Sequence, residues 1–170
     1  MSKPGKSGGP MGQPFSLNWG KPQPQADPVE PSQTLDRETV AALNTYADAI
    51  LKALQKTVPG SGYDGASVKR LSRELTTHGP GYKGDQRVKI ANMYGAFLGK
   101  AILVTYSSYP ATWVRWRGDV GLEFAADANG VRKILMPITR VFKHVDNGEA
   151  DSIYSLFMAV PEFLSAGPRR

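Results

Sequence analysis

Two glycines lie four residues apart in the most apolar helical stretch of the chain, MYGAFLGKAIL (residues 93–103). A glycine in a helix interior costs about 1 kcal/mol relative to alanine. Gly95 and Gly99 are therefore expected where a neighbour needs the space of a missing side chain. Ile90, Met93, Tyr94, Phe97, Leu98, Ala101 and Ile102 form a broad apolar face on this helix, and Ala91, Gly95 and Gly99 form a separate strip of small residues beside it. In a bilayer that spacing suggests helix dimerisation. Here Asn92 and Lys100 interrupt the apolar run from Ile90 to Tyr106, which falls short of the roughly 20 apolar residues a span requires. The helix is expected at the centre of one soluble fold, with another backbone element lying directly against its glycines.

The rest of the chain supplies partners for such a helix. Val40, Leu43, Ala47, Ile50 and Leu54 recur at helical spacing, with Thr34 or Asp36 as N-cap and Pro59-Gly60 as the stop. Val68, Leu71 and Leu75 follow Asp64 in a second, shorter helix ended by His78-Gly79-Pro80-Gly81, and Asp85 is expected to cap the glycine-bearing third. Past Ser107-Ser108-Tyr109-Pro110 the apolar period switches to two. ATWVRWR, DVGLEF and VRKILMP read as three strands, the last two joined by DANG, in which Asn129-Gly130 is a hairpin dipeptide. Pro137 and Thr139 open a helix through ITRVFKHV that Asn147-Gly148 closes. Asp151 is expected to cap a final helix through Ile153, Leu156, Phe157 and Val160, ended by Pro161 and the tail SAGPRR. The order predicts one α+β domain over residues 34–164, with residues 165–170 as a flexible end: three N-terminal helices, a three-stranded antiparallel meander, and two short C-terminal helices. No internal repeat is visible.

Residues 1–33 differ in kind. They hold Pro4, Pro10, Pro14, Pro22, Pro24, Pro28 and Pro31 out of 13 prolines in the chain and show no apolar periodicity, so a disordered tail is expected. Within it, FSLNW is an apolar island. It reads either as a chance cluster in a linker, the simpler account, or as a docking peptide whose Phe15, Leu17 and Trp19 fill a groove on a partner or on the chain's own domain.

The net charge of +6 and pI near 9.6 permit contact with nucleic acid, anionic membrane or an acidic protein without choosing among them. Cysteine is absent, which removes disulfides, thiolate nucleophiles and cysteine metal sites. The lysines at the start are followed by no apolar segment of the secretory type. A cytoplasmic location is expected, signal-independent export aside.

Catalytic motifs are scarce. GSGYDG, with Gly60, Gly62 and Gly65, matches the dinucleotide fingerprint in letters, but a helix rather than a strand precedes it, so it reads as a flexible connector. His78 and His144 fall in separate elements without metal-ligand spacing, and His144 is expected to favour the end of its helix. Asp119, Glu123 and Asp127 read as a solvated face. No catalytic residue, cofactor or metal site is nominated, and the balance leans away from an enzyme. The most suggestive stretch is TWVRWRGD. Alternation places Trp113, Arg115 and Arg117 on one strand face and Val114 and Trp116 on the other. An aromatic beside two guanidinium groups can stack bases and hold phosphates, or form a protein contact, and Arg132 and Lys133 on the third strand extend the patch. The RGD triplet itself reads as coincidence in a strand turn.

Taken together, YDGASVKRL, MYGAFLGKAIL, the tryptophan-bearing strand and MPITRVFKHVDNGEADSIYSLF resemble a loosely defined set of small uncharacterised bacterial α+β domains, over roughly Tyr63 to Phe157. That pattern commonly has an acidic residue after the second glycine, where this chain has Lys100. Some of these domains look like immunity or accessory proteins, so the resemblance implies a role in protein binding and brings no catalytic residues with it. The leading expectation is a non-enzymatic protein-binding domain, of the immunity or adaptor kind, that uses Trp113, Arg115 and Arg117. The alternative is nucleic-acid binding through the same face with Arg132 and Lys133. The third is an enzyme or small-molecule receptor with a pocket between the glycine-bearing helix and the sheet.

Overall fold

The computed structural model describes residues 31–166. In chain order these form β1 (Gln33–Thr34), α1 (Arg37–Thr57), α2 (Gly65–His78), a 3-10 turn (Gly79–Gly81), α3 (Gly84–Thr105), β2 (Ala111–Trp116), β3 (Asp119–Phe124), β4 (Lys133–Leu135), α4 (Pro137–Asn147), a second 3-10 turn (Gly148–Asp151) and α5 (Ile153–Ser165). The fold is α+β, with an antiparallel sheet in the order β1-β2-β3-β4. The expected meander is present as β2 to β4. The additional strand is β1, which pairs Gln33 with Arg115 and Thr34 with Val114. Gln33 thus belongs to the sheet and not to the tail, because two paired residues are too few to leave a periodic signal. Phe15, Leu17 and Trp19 lie outside the described residues.

Local chemistry accounts for most helix ends. Asp36 caps α1 by accepting the Thr39 N–H at 2.7 Å, and Asp64 caps α2 by accepting the Ser67 N–H at 2.8 Å. Two expected caps are displaced. Asp85 lies inside the first turn of α3, where its charge still opposes the positive end of the helix, while Lys83 occupies the cap position without a side-chain bond. Ser152, not Asp151, caps α5 by accepting the Ser155 N–H; Asp151 instead meets Arg140 at 3.2 Å and accepts from Asn147. Nor does α5 stop at Pro161. A proline has no N–H for the carbonyl four residues back, and that carbonyl, on Phe157, accepts the Tyr106 hydroxyl at 2.9 Å.

Helix α3 is central. Phe97, Leu98, Ala101 and Ile102 are completely buried, α1 packs along one side and α4 along another. A Cβ added at Gly95 would stand 2.6 Å from Cα of Ile138 at the start of α4, and one at Gly99 would stand 2.2 Å from the Trp113 indole. The close approach expected of the two glycines is therefore met by a backbone at one and an aromatic ring at the other. The connector after α1 is held more firmly than its glycines suggest, since Tyr63 packs on Phe97 with ring centroids 5.1 Å apart.

The sheet turns one face to the helices, carrying Trp113, Leu122, Phe124 and Leu135 into the core. Its outer face carries Trp116 and Ile134, half-buried, around Val114 (1% exposed) and Gly121, which are buried without joining that core cluster. Among the described residues, no helix is long and apolar enough to cross a membrane.

Candidate functional site

The aromatic and basic strand face expected from the sequence is taken apart in three dimensions. Alternation does place Trp113 and Arg115 on one side, but it is the inner side. Trp113 is only 6% exposed because Gly99 leaves a slot for its ring, while Arg115 emerges at the rim. Arg117 lies past the end of β2. With Gly118 it forms the two-residue turn of the β2–β3 hairpin, both at positive φ (50° and 84°), and its guanidinium stacks 4.5 Å from the Trp116 ring. Lys133 is consumed structurally. Its ammonium donates to the carbonyls of Phe163 (2.8 Å), Leu164 (2.9 Å) and Ala166, satisfying the open C-terminal end of α5. Arg132 stays exposed on the outer face, 3.6 Å from Glu123.

The outer face that remains has an apolar centre and a charged rim. Val114 stands opposite Gly121 at its middle. A Cβ at Gly121 would collide with Met136 Sδ at 2.7 Å and Ile134 Cγ2 at 2.8 Å, so those two side chains lie down over the glycine. Trp116 flanks them, half-buried under Arg117, and its indole nitrogen is buried with no acceptor. Arg117, Arg132 and Glu123 form the rim. Ser32 joins them by donating its hydroxyl to Glu123 Oε1 at 2.8 Å.

Two polar clusters assemble from distant residues that the sequence does not link. In the first, Asp48 on α1 accepts from Tyr63 and from the Lys100 ammonium at 2.7 Å, and Lys100 also lies 4.7 Å from the Tyr63 ring centroid. The Lys100 and Tyr63 bonds hold the Asp48 carboxyl below the usual carboxylate range. Lys100 thereby ties α3 to α1. In the second, His144 is fully buried. The Ile153 N–H donates to Nδ1 at 3.2 Å, so the neutral ring carries its proton on Nε2 and donates to Thr76 Oγ1 at 2.9 Å; Thr76 in turn donates to Glu149 at 2.6 Å. Burial pushes the His144 pKa down, with Arg140 adding to the effect and Glu149 and Asp151 opposing it. Rather than meeting the end of its own helix as a cation, His144 caps the start of α5 as a neutral acceptor. The carboxylate contacts the hydroxyl and not the imidazole, and the ring is closed off from solvent, which makes this a structural clasp and not a nucleophile–base pair.

A groove of about 410 Å³ opens between α3, α4 and the β2–β3 turn, where Val88, Val120, Ile138 and Phe142 meet Asn92 and Asp119. A second, of about 500 Å³, lies beyond the Arg87–Asp146 pair that separates the two. Arg87 is fully engaged, with two bonds to Asp146 and its guanidinium 4.9 Å from the Phe142 ring. Among the described residues no group of three or more metal-ligating side chains gathers.

The chain matches no known protein-family model, no curated protein and no solved structure.

Of the residues singled out from sequence, the structure leaves Arg117 exposed at the β2–β3 turn and Arg132 exposed beside Glu123 at the opposite end of the sheet, buries Trp113 and commits Lys133 to the end of α5. The outer-face residues Trp116, Ile134, Met136 and Gly121 were not singled out. Their signal was the same alternation, read on its other phase.

Proposed function

We propose that this is a protein-binding domain, of the immunity or adaptor kind, that acts by contact and uses the outer face of its sheet. The observation that carries this reading is Trp116, half-buried on a rigid strand beside Val114, Ile134 and Met136, with an indole N–H that has no acceptor. Apolar and aromatic residues ringed by charge are the composition of protein interfaces, and tryptophan and arginine dominate their energetics. The resemblance to small bacterial accessory domains points the same way. Nucleic-acid binding through the five residues first considered is weakened, because Trp113 is buried, Lys133 serves α5 and Arg132 faces Glu123.

Affinity capture with the wild-type chain and with a Trp116→Glu, Ile134→Glu variant tests this, with nuclease present and with thermal melting as the control for folding. A stoichiometric protein held by the wild type and lost from the folded variant is the expected result. Equal retention by both overturns the interface. Bound material that disappears with nuclease transfers the function to nucleic acid and to Arg115, Arg117 and Arg132.

A further inference from the structure

We propose that the solvent face of α2 binds single-stranded nucleic acid, with Lys69, Arg70 and Arg73 holding its phosphates and Tyr154 of α5 stacking on a base. This goes beyond the contact made by the outer face of the sheet and does not rest on it.

Helical periodicity sets the face. Val68, Leu71 and Leu75 are buried against the rest of the fold, together with Ser67 and Ser72, so α2 is fixed along its inner side. At about 100° per residue, Lys69, Arg70 and Arg73 fall within one arc on the opposite side, and all three are exposed. Their helical positions span only about 6 Å of rise. Lys69 and Arg73 stand four residues apart and Arg70 and Arg73 three, spacings at which like charges repel and weaken a helix. An anion laid along the arc relieves that repulsion.

Pairing separates these cations from others in the fold. Arg87, Lys100, Arg132 and Arg140 each meet a carboxylate, and Lys133 is taken up by the carbonyls of α5. Among the described residues, no carboxylate stands within ion-pair distance of Lys69, Arg70 or Arg73. The acids nearest in sequence are engaged elsewhere. Asp64 caps the start of α2, and Glu74, on another side of the helix, accepts the Tyr94 hydroxyl at 2.7 Å.

The neighbouring chemistry selects the anion. Phosphodiester chains present negative groups at short, regular intervals, which suits cations gathered within about one helical turn. Tyr154 lies half-buried beside the arc, with Lys69 Nζ 5.5 Å from its ring centre. A ring next to clustered cations is the combination that holds a single strand, the base stacking and the backbone neutralised. A bilayer suits the face less, because the exposed neighbours on the same arc are Ala66, Thr76 and Thr77, which bring no large apolar side chain.

The test is fluorescence anisotropy of the full chain with a labelled oligothymidylate, titrated between about 50 and 200 mM salt. Affinity should fall as salt rises. In a Lys69→Gln, Arg70→Gln, Arg73→Gln variant the logarithmic salt slope should shrink by about 2, since each phosphate contact on a single strand contributes about 0.7. Replacing Lys52, Lys56 and Lys89 with glutamine removes the same charge from other exposed positions and should leave most of the slope in place. Tyr154→Leu should weaken binding by about fivefold or more with the slope unchanged. Thermal melting checks that each variant is folded. Absence of binding at the lowest salt overturns the proposal, as does an equal loss in the two triple variants. Tighter binding to a duplex of the same length overturns the single-strand assignment, and tighter binding to phosphatidylserine vesicles or to polyglutamate overturns nucleic acid altogether. Binding that depends on Arg117→Gln, Arg132→Gln and not on the α2 variant moves the site to the sheet and overturns it here. Loss of protein capture in Trp116→Glu, Ile134→Glu is read separately, so either surface can stand or fall without the other.

Discussion

Trp113 and Trp116 stand three residues apart on one strand and do opposite things. The ring of Trp113 fills the slot above Gly99, while Trp116 stays on the far side of the sheet beneath Arg117, with its N–H unanswered. Nothing in the residue type distinguishes them. What decides is the surface opposite: a helix that omits a side chain at Gly99 draws one tryptophan in, and on the face that α3 does not touch the other keeps an unpaired indole N–H. The outer face is thus defined by what the helices have not covered.

The contrast should break most sharply under truncation. Trp113→Ala is expected to cost about 3 to 5 kcal/mol, and Gly99→Leu a comparable amount because its first side-chain carbon already collides with the ring. Trp116→Ala should cost about 1 kcal/mol or less. Urea denaturation of the three variants measures this, and equal losses at the two tryptophans would erase the distinction between the faces. Gly99→Ala combined with Trp113→Phe should lose less than the sum of its parts, since both act on one contact.

A smaller effect sharpens the difference between paired and unpaired polar groups. His144, unlike Trp116, has every polar atom answered, and His144→Gln should cost about 1 to 3 kcal/mol. Its folded pKa lies below the ordinary 6.5. The unfolded chain therefore takes up the proton first as pH falls, and stability present above 6.5 declines toward the lower folded value. Urea midpoints measured between about pH 7.5 and about pH 5 should fall for the wild type, and His144→Gln should flatten that slope. Loss of the Asp48 contribution belongs to a separate window below 3.8.

The smallest effects compare neighbours on β4. Lys133→Met removes three donors from the end of α5 and should cost about 1 kcal/mol, with faster amide exchange in the last turn of that helix. Arg132→Ala, facing solvent beside Glu123, should change the melting temperature by an amount equivalent to no more than about 0.5 kcal/mol. A larger cost at Arg132 than at Lys133 would reverse their assigned roles.

Helical period placed the five helices of the described residues, Asp36, one of two candidate caps, proves to start α1, and the glycine strip foretold a close contact. Those signals are local, and local signals survive in sequence. Strand alternation separates Val114 and Trp116 from Trp113 and Arg115 but carries no information about which side faces the helices; the space above Gly99, which receives the Trp113 ring, decides that. The turn dipeptide Asn129-Gly130 lies in a longer loop, where Asp127 accepts the N–H groups of Asn129 and Val131. The tight hairpin falls at Arg117-Gly118, where an arginine takes the positive φ usually left to glycine or asparagine. His144 meets Thr76 across 68 positions and Ser32 meets Glu123 across 91, separations at which no pattern in one chain is readable.

The pairing of β1 with β2 joins residues about eighty positions apart, while β2 and β3 close through two residues. Loop-closure entropy makes that long-range pair the last to form and the first to open, and only two residues of ladder hold it. Amide exchange at Gln33–Thr34 should accordingly outpace exchange in the hairpin. The sheet thus has a hinged margin: the two residues of β1 can part from β2 and pair again while α3 and its neighbours stay folded.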